Sequence, residues 1–479
     1  MNKITDYTLI EIKEKLQNKE LSSVEVVKAC IEQMKSTQNL NAVLYFDEEK
    51  SLEEARLADE NILNGNARVL EGIPIVVKDN ISTTELKTSC ASKFLKDYVA
   101  PYNATVVNKL KDAGAIIIGK ANMDEFAMGG SGENSAFGRT LNPINNEYVT
   151  GGSSSGSAAT VAANQCYASL GTDTGGSIRQ PAGFCGVVGM KPTYGRVSRY
   201  GVVAFASSLD QVGPITKTVR DNALILDVIK GKDESDGTSI EREDKPFSES
   251  FSDSIKGMRI GVAKELLDMP MDEDVKNAID STIQFYKENG AEIVDISLPS
   301  IDKTLAVYYI ISSAEAASNL SRFDGIKYST RANEYDGLVD LYFKSRTEGF
   351  GSEVKRRIMM GNYVLSASYY DAYYGQATKV QRLLKEEFKN AFDKVDAIIS
   401  PVSPTTAFKF GAKATPLEMY LADIYTVPVN VIGSPAISFP VAKNSEGMPI
   451  ACQLIARKWE ESKLYALADF YERNKGEDK

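Results

Sequence analysis

The chain of 479 residues contains no histidine. That absence excludes Ser–His–Asp and Cys–His relays. It also excludes imidazole zinc sites such as HExxH. The side chain whose ordinary pKa best suits proton transfer near neutrality is missing, so acid–base chemistry must fall to another group. The five cysteines, Cys30, Cys90, Cys166, Cys185 and Cys452, include no CxxC pair. That pattern fits reduced, mostly buried thiols and a cytoplasmic location. No apolar run reaches the roughly 18 residues of a membrane span. The start, MNKITDYTLIEIKEK, is charged and amphipathic, unlike a signal peptide.

What is present is ordinary for a large folded chain. Hydrophobic residues make up 43% and charged residues 25%, enough for a sizeable core. Lys and Arg number 55 against 65 Asp and Glu, a net charge of −10. Such a chain is a poor binder of nucleic-acid phosphates by itself. At about 150 residues per domain the length suggests roughly three domain equivalents, or one large α/β domain.

Helical and strand patterns alternate. Ser22 with Glu25 reads as a capping box before VEVVKACIEQM. Residues 49–65, 105–114, 273–289, 303–320, 365–394 and 459–473 read as helices. IPIVV (73–77), AIIIG (115–119), MRIGVAK (258–264), DAIIS (396–400), PAISFP (435–440) and IACQLIA (450–456) read as strands. The alternation implies a sheet covered by helices on both faces. Residues 231–253 are polar and acidic and read as a surface connection, while 129–195 are rich in Gly, Ser, Thr and Ala. Such a texture brings backbone close to something small.

Three motif matches fail on physical grounds. Gly114 to Lys120 has P-loop spacing, but Ala121 replaces the metal-binding hydroxyl and the interior reads as a strand. Gly152 to Gly156 fits the GxSxG elbow, which needs a histidine. Ser300 and Lys303 fit SxxK, but no KTG or SDN partner exists.

Three other pieces carry chemistry. GIPIVVKDN (72–80) sets Lys78 just after a buried strand. GGSSSGSAATVAAN (151–164) is a Gly/Ser loop running into an Ala-rich helix. GTDTGGSIRQPAGFCGVVGMKPTYGRV (171–197) holds Ser177 after two glycines. Alone, each also fits a plain turn or a solvated edge lysine. Together, in a chain without histidine, they suggest a serine nucleophile served by lysine. A free Lys titrates near 10.4, and bringing it to neutrality takes about 4 kcal/mol of differential solvation. An apolar flank such as IPIVV supplies that desolvation. The glycines beside Ser177 let backbone N–H groups converge, as an oxyanion hole requires.

The run GGSSSGSAA followed by GTDTGGSIRQPAGFCGVVGMKPTYGRVS resembles the amidase signature family. That resemblance implies a single α/β/α domain over 1–479 with a large mixed sheet: a helical part (1–70), a signature core (71–200) and the remaining sheet with pocket and partner-facing helices (201–479). It implies a Ser–cis-Ser–Lys triad: Ser177 as nucleophile, Ser153 as bridging serine after a cis bond from Gly152, Lys78 as base. The backbone N–H groups of Thr174, Gly175, Gly176 and Ser177 would form the oxyanion hole. Asp173 and Arg179 are expected to pair and hold the loop.

The segments 308–331, 351–366, 369–377 and 419–440 resemble a narrower group within that family, the A subunits of tRNA-dependent amidotransferases. The match runs over essentially the whole chain. It implies a glutaminase feeding a carbon–nitrogen ligase in a heterotrimer. A B subunit would activate Glu-tRNA(Gln) or Asp-tRNA(Asn) with ATP and Mg and hold most of the tRNA, and a C subunit would bridge the two. This chain would carry no cofactor or metal of its own and would not touch a membrane. Free glutamine is a zwitterion, and Arg is the better carboxylate clamp. The resemblance puts the carboxylate on Arg357, with Arg356 as the register alternative, and the amine on Asp423. It puts a third contact on Tyr308, with Tyr309 as the alternative. Surface ion pairs are the plainer reading of these charges. The family's AMGSSTENSAFG stands here as AMGGSGENSAFG (127–138). Gly130 and Gly132 replace hydroxyl residues there, leaving Ser131, with Gly129, to line the pocket. A stand-alone amidase on small amides and an inactive assembly scaffold are the competing readings.

Overall fold

The computed structural model describes residues 3–327, 330–413 and 415–476. Tyr328 and Ser329 of the 308–331 segment lie outside them. The described residues build one sheet of 11 strands. These are β1 (Val43–Tyr45), β2 (Pro74–Lys78), β3 (Ile116–Ala121), β4 (Ala168–Asp173), β5 (Val188–Lys191) and β6 (Gln211–Thr216), then β7 (Arg259–Ala263), β8 (Glu292–Ile296), β9 (Ala397–Pro401), β10 (Ala436–Lys443) and β11 (Pro449–Ile455). Their spatial order is β1-β3-β2-β4-β6-β5-β10-β11-β9-β7-β8. β2 runs parallel to β3 and β4, and β7 parallel to β8 and β9, while the remaining pairs are antiparallel. The sheet is therefore mixed.

Both faces are covered. Successive strand residues point to opposite sides, and here they enter different cores. Ala397 and Ile399 join one hydrophobic core and Ile398 the other; Leu454 and Ile455 divide the same way. This explains why the strands read as unbroken apolar runs rather than as alternating ones.

The sequence-based helix over 365–394 is broken. One helix, Ser352–Leu365, ends at Ser366, whose backbone is extended. A π-helical turn at Asp371–Gly375 then leads into a second helix, Gln376–Phe392. Tyr369 stacks on Tyr363 at 4.5 Å and Tyr373 reaches the same ring at 5.8 Å. These ring contacts fold the segment back onto the end of the first helix. The helix Gly337–Gly349 was also unexpected, because Leu338, Val339 and Phe343 lie exposed and blur its periodicity. The acidic 231–253 connection is pinned by Phe247, which is buried. The capping box is present: Glu25 N–H donates to Ser22 Oγ at 3.2 Å, and Ser22 N–H to Glu25 at 2.8 Å.

Two features position the site. Val77 pairs with Leu170 in the parallel register of β2 and β4, so both strands end side by side, at Lys78 and Asp173. Open α/β sheets place ligands at such carboxyl ends. The helix Ser352–Leu365 also crosses Thr304–Asn319 closely at Gly361, where a Cβ would stand 2.0 Å from Ser313 O. Gly361→Ala should force these helices apart and cost about 1–3 kcal/mol. Calorimetry should show a lower Tm.

Candidate active site

Lys78 is the last residue of β2, where every side chain is buried. It is itself fully enclosed. Its Nζ donates to Ser153 Oγ at 2.8 Å, to Thr172 Oγ1 at 2.9 Å and to Thr172 O at 3.2 Å. All three partners are neutral, and among the described residues no carboxylate lies within ion-pair distance of this amine. Burial drives its pKa down to about 7, against the weaker pull of Asp124, Asp173 and Asp210.

Those three carboxylates are committed elsewhere. Asp124 accepts the N–H groups of Asn134 at 2.9 Å and Gly132 at 3.1 Å. Asp210 accepts Thr174 Oγ1 at 2.6 Å and Phe205 N–H at 2.9 Å. Burial raises both, each to about 6. Asp173 meets Arg179 through Nε at 3.0 Å and Nη2 at 3.1 Å. Burial alone would raise Asp173, yet Arg179 holds it down to about 2.

The Gly/Ser loop delivers Ser153 to Lys78. The Gly152–Ser153 peptide bond is cis. The second loop carries Ser177, 7% exposed where Lys78 and Ser153 are at 0%. Ser154 N–H donates to Ser177 O at 3.1 Å, which ties the two loops together. Ser177 Oγ makes no hydrogen bond among the described residues, so its link to Ser153 is not closed in this structure.

The backbone around Ser177 differs from expectation at one position. Gly176 N–H donates to Asp173 Oδ1 at 2.8 Å. It is spent inside the loop. The N–H groups of Thr174, Gly175 and Ser177 make no hydrogen bond among the described residues. Gly175 is also where Tyr308 packs: a Cβ would lie 2.5 Å from its ring carbon Cζ.

The neighbouring pocket gathers the remaining residues. Arg357 is buried, whereas the side chain of Arg356 is 45% exposed. Arg357 Nε donates to Glu353 Oε1 at 2.7 Å, which also accepts Tyr420 OH at 2.9 Å. The guanidinium faces Tyr309 and Tyr420, its centre 4.5 Å and 4.8 Å from their rings. Arg357 Nη1 is buried without a hydrogen-bond partner among the described residues. Tyr309 OH donates to Asp423 Oδ2 at 2.9 Å. Burial raises Asp423 to about 7. Tyr308 and Tyr309 therefore both reach the site, one at the Ser177 loop and one at Asp423. Gly129 lets the backbone pass against Asp124, where a Cβ would stand 2.4 Å from Cγ; Ser131 is buried beside Gly152.

Sequence reasoning missed Thr172, Asp124, Asp210, Glu353 and Tyr420. Glu353 was findable, because an acid four residues before an arginine on one helix is a standard pair. The partners from distant segments leave no such local trace.

An amidase family model matches residues 25–465. The A subunit of glutamyl-tRNA(Gln) amidotransferase from Caldanaerobacter subterraneus subsp. tengcongensis is 53% identical over 468 residues, 97% of this chain and 96% of that one. The crystal structure of the corresponding Thermotoga maritima protein, also the A subunit of glutamyl-tRNA(Gln) amidotransferase, matches with TM-score 0.82 at 39% identity, covering 99% of this chain and 96% of that one. A peptide amidase from Stenotrophomonas maltophilia matches with TM-score 0.84 at 28% identity, covering 98% and 97%. The backbone alone does not distinguish these two kinds of enzyme.

Asp173→Ala would leave the Arg179 cation buried without its partner. It would also free the N–H groups of Gly176 and Ile178, which Asp173 accepts at 2.8 Å and 3.1 Å. Loss of one partner of such a pair costs about 3–5 kcal/mol. Urea unfolding should show that loss as a lower midpoint.

Proposed function

The chain belongs to the amidase family, and on that premise we propose that it is the glutamine-hydrolysing component, the A subunit, of a glutamyl-tRNA(Gln) amidotransferase. The observation that carries this reading is the unpartnered, buried Nη1 of Arg357 beside Asp423. A buried donor without a partner is costly unless a ligand supplies one. A cation and an anion in one pocket fit the carboxylate and ammonium of a free amino acid. The amide of a peptide chain would satisfy neither charge. The name and 53% identity of the curated relative support the same choice.

The proposed chemistry runs through Lys78, Ser153 and Ser177, of which Lys78 and Ser153 are in hydrogen-bond contact. Neutral Lys78 takes a proton through Ser153 from Ser177, whose Oγ attacks the γ-carboxamide carbon of glutamine. The developing oxyanion rests on the N–H groups of Thr174, Gly175 and Ser177. Ser153 and Lys78 return the proton to the leaving nitrogen, and ammonia departs. Water then attacks the acyl-serine and releases glutamate. Arg357 receives the α-carboxylate and Asp423 the α-ammonium.

The ammonia serves a partner. We assign ATP, Mg and most tRNA contact to a B subunit, with a C subunit completing a heterotrimer in the cytoplasm. A net charge of −10 supports that division, because phosphate contacts need Lys and Arg. No described helix is long and apolar enough to cross a membrane.

In the complex with partner subunits, Ser177→Ala should cut ammonia release from glutamine by about 10⁴-fold or more. A wild-type complex that turns over simple amides but not glutamine would overturn the reading. The pH profile is a second check. Lys78 must be neutral to act, and its pKa stands at about 7. Asp423, also raised to about 7, must be ionised to receive the ammonium. Activity should fall as pH drops through 7. The acid limb should be steeper in kcat/KM than in kcat, because bound substrate keeps Asp423 ionised. A limb near the ordinary carboxylate range would remove Lys78 as the base.

A further inference from the structure

Gln180 stands three residues after Ser177, in the short helix Arg179–Phe184, and is fully buried. Its Oε1 accepts the N–H of Gly152 at 3.0 Å. Only an oxygen can receive that N–H, so the contact decides which way the carboxamide faces. The other end, Nε2, is buried and has no hydrogen-bond partner among the described residues. Gly130 marks the space that it meets. A Cβ on Gly130 would stand 3.3 Å from Asp423 Oδ1 and 3.8 Å from Gln180 Nε2. Gln180 Nε2 and Asp423 Oδ1 thus both lie beside the position that a side chain at residue 130 would take.

We infer that Gln180 is a substrate-binding residue whose Nε2 donates to an α-carboxylate oxygen of glutamine. The inference rests on the glutamine reading above. A free glutamine offers two kinds of acceptor. Its γ-carbonyl belongs to the backbone N–H groups around Ser177, and its ammonium accepts nothing. The α-carboxylate remains, with two oxygens and two buried, unpartnered donors, Arg357 Nη1 and Gln180 Nε2. One donor is charged and one neutral. Glu353 already pairs with Arg357 through Nε, so the two free donors meet the carboxylate and Asp423 the ammonium. An amide without the carboxylate would leave both donors unpaired, a stronger rejection than apolar contact gives. The same carboxamide braces Gly152, the residue before Ser153, so substrate recognition and the bridging serine share one side chain.

The test uses the chain in complex with its partner subunits. Turnover of glutamine is compared with turnover of 4-aminobutanamide, which is glutamine without its carboxylate. The variants are Gln180→Glu, which keeps the acceptor for Gly152 and loses the donor, and Gln180→Met, which loses both and adds no charge. The readout is the ratio of kcat/KM for the two amides, in which any loss of folded or active protein cancels. In both variants the ratio should fall at least about tenfold, carried by KM for glutamine. Glu should lower it further, through repulsion of the carboxylate. An unchanged ratio, with both substrates declining together, would make Gln180 a brace for Gly152 and nothing more. A fall with Glu but not with Met would reduce the effect to repulsion and overturn the hydrogen bond. Failure of the glutamine reading shows separately, as a wild-type complex with no preference for glutamine over 4-aminobutanamide.

Discussion

The site depends on the desolvation of one amine. Lys78 lies at the end of a buried strand, and among the described residues its amine bonds only hydroxyl and carbonyl oxygens. Three carboxylates are near enough to favour its charged form, and each is held by other donors. If any of them were free to pair with Lys78, the amine would stay protonated at neutral pH and could not serve as a base. The Asp173–Arg179 pair therefore has an electrostatic consequence besides its structural one. It keeps a carboxylate close to Lys78 while committing it to another cation.

The sheet makes this arrangement possible. Parallel β2 and β4 end side by side, which brings Lys78 against Thr172 without any long side-chain reach. The two Gly/Ser loops then approach from that edge. Their glycines sit where no Cβ fits: Gly152 against Asp124, Gly175 against Tyr308, Gly176 against Thr426. Small residues here are a packing requirement as well as a route for N–H groups to the reacting carbonyl.

The Gly/Ser-rich loops were legible because each is a contiguous run of residues. Lys78 and Ser177 could be named from local pattern and Ser153 only through the family resemblance, and Lys78 and Ser153 do meet. The pocket was legible only in part. Arg356 and Arg357 are equivalent by composition, and only the helix phase buries one and exposes the other. Tyr308 and Tyr309 face different parts of the site from successive positions, which composition does not separate. The Gly176 N–H could not be known to point back at Asp173, since that depends on the turn of the loop. Gln180 sat in plain view within GSIRQPA. Its role depends on Gly130 and Asp423, which come from segments far away in the chain. The helix expected over 365–394 holds from Asp371 to Phe392, and its start departs for a similar reason: tyrosines that suit a helix also suit stacking on its end.

The five cysteines are all buried and unpaired by disulfides. Burial pushes every thiol up, Cys166 to about 12. The thiolate is the reactive form, so the folded chain presents almost none of it. Alkylating reagents must wait for the protein to open. The cysteines are also divided between the two cores: Cys90 packs with Phe94 and Tyr308 on the side of the pocket, and the other four lie in the larger core. The order in which they take up a label is thus a record of which side of the sheet comes apart first. The native sequence carries its own chemical clock for unfolding, with no probe introduced.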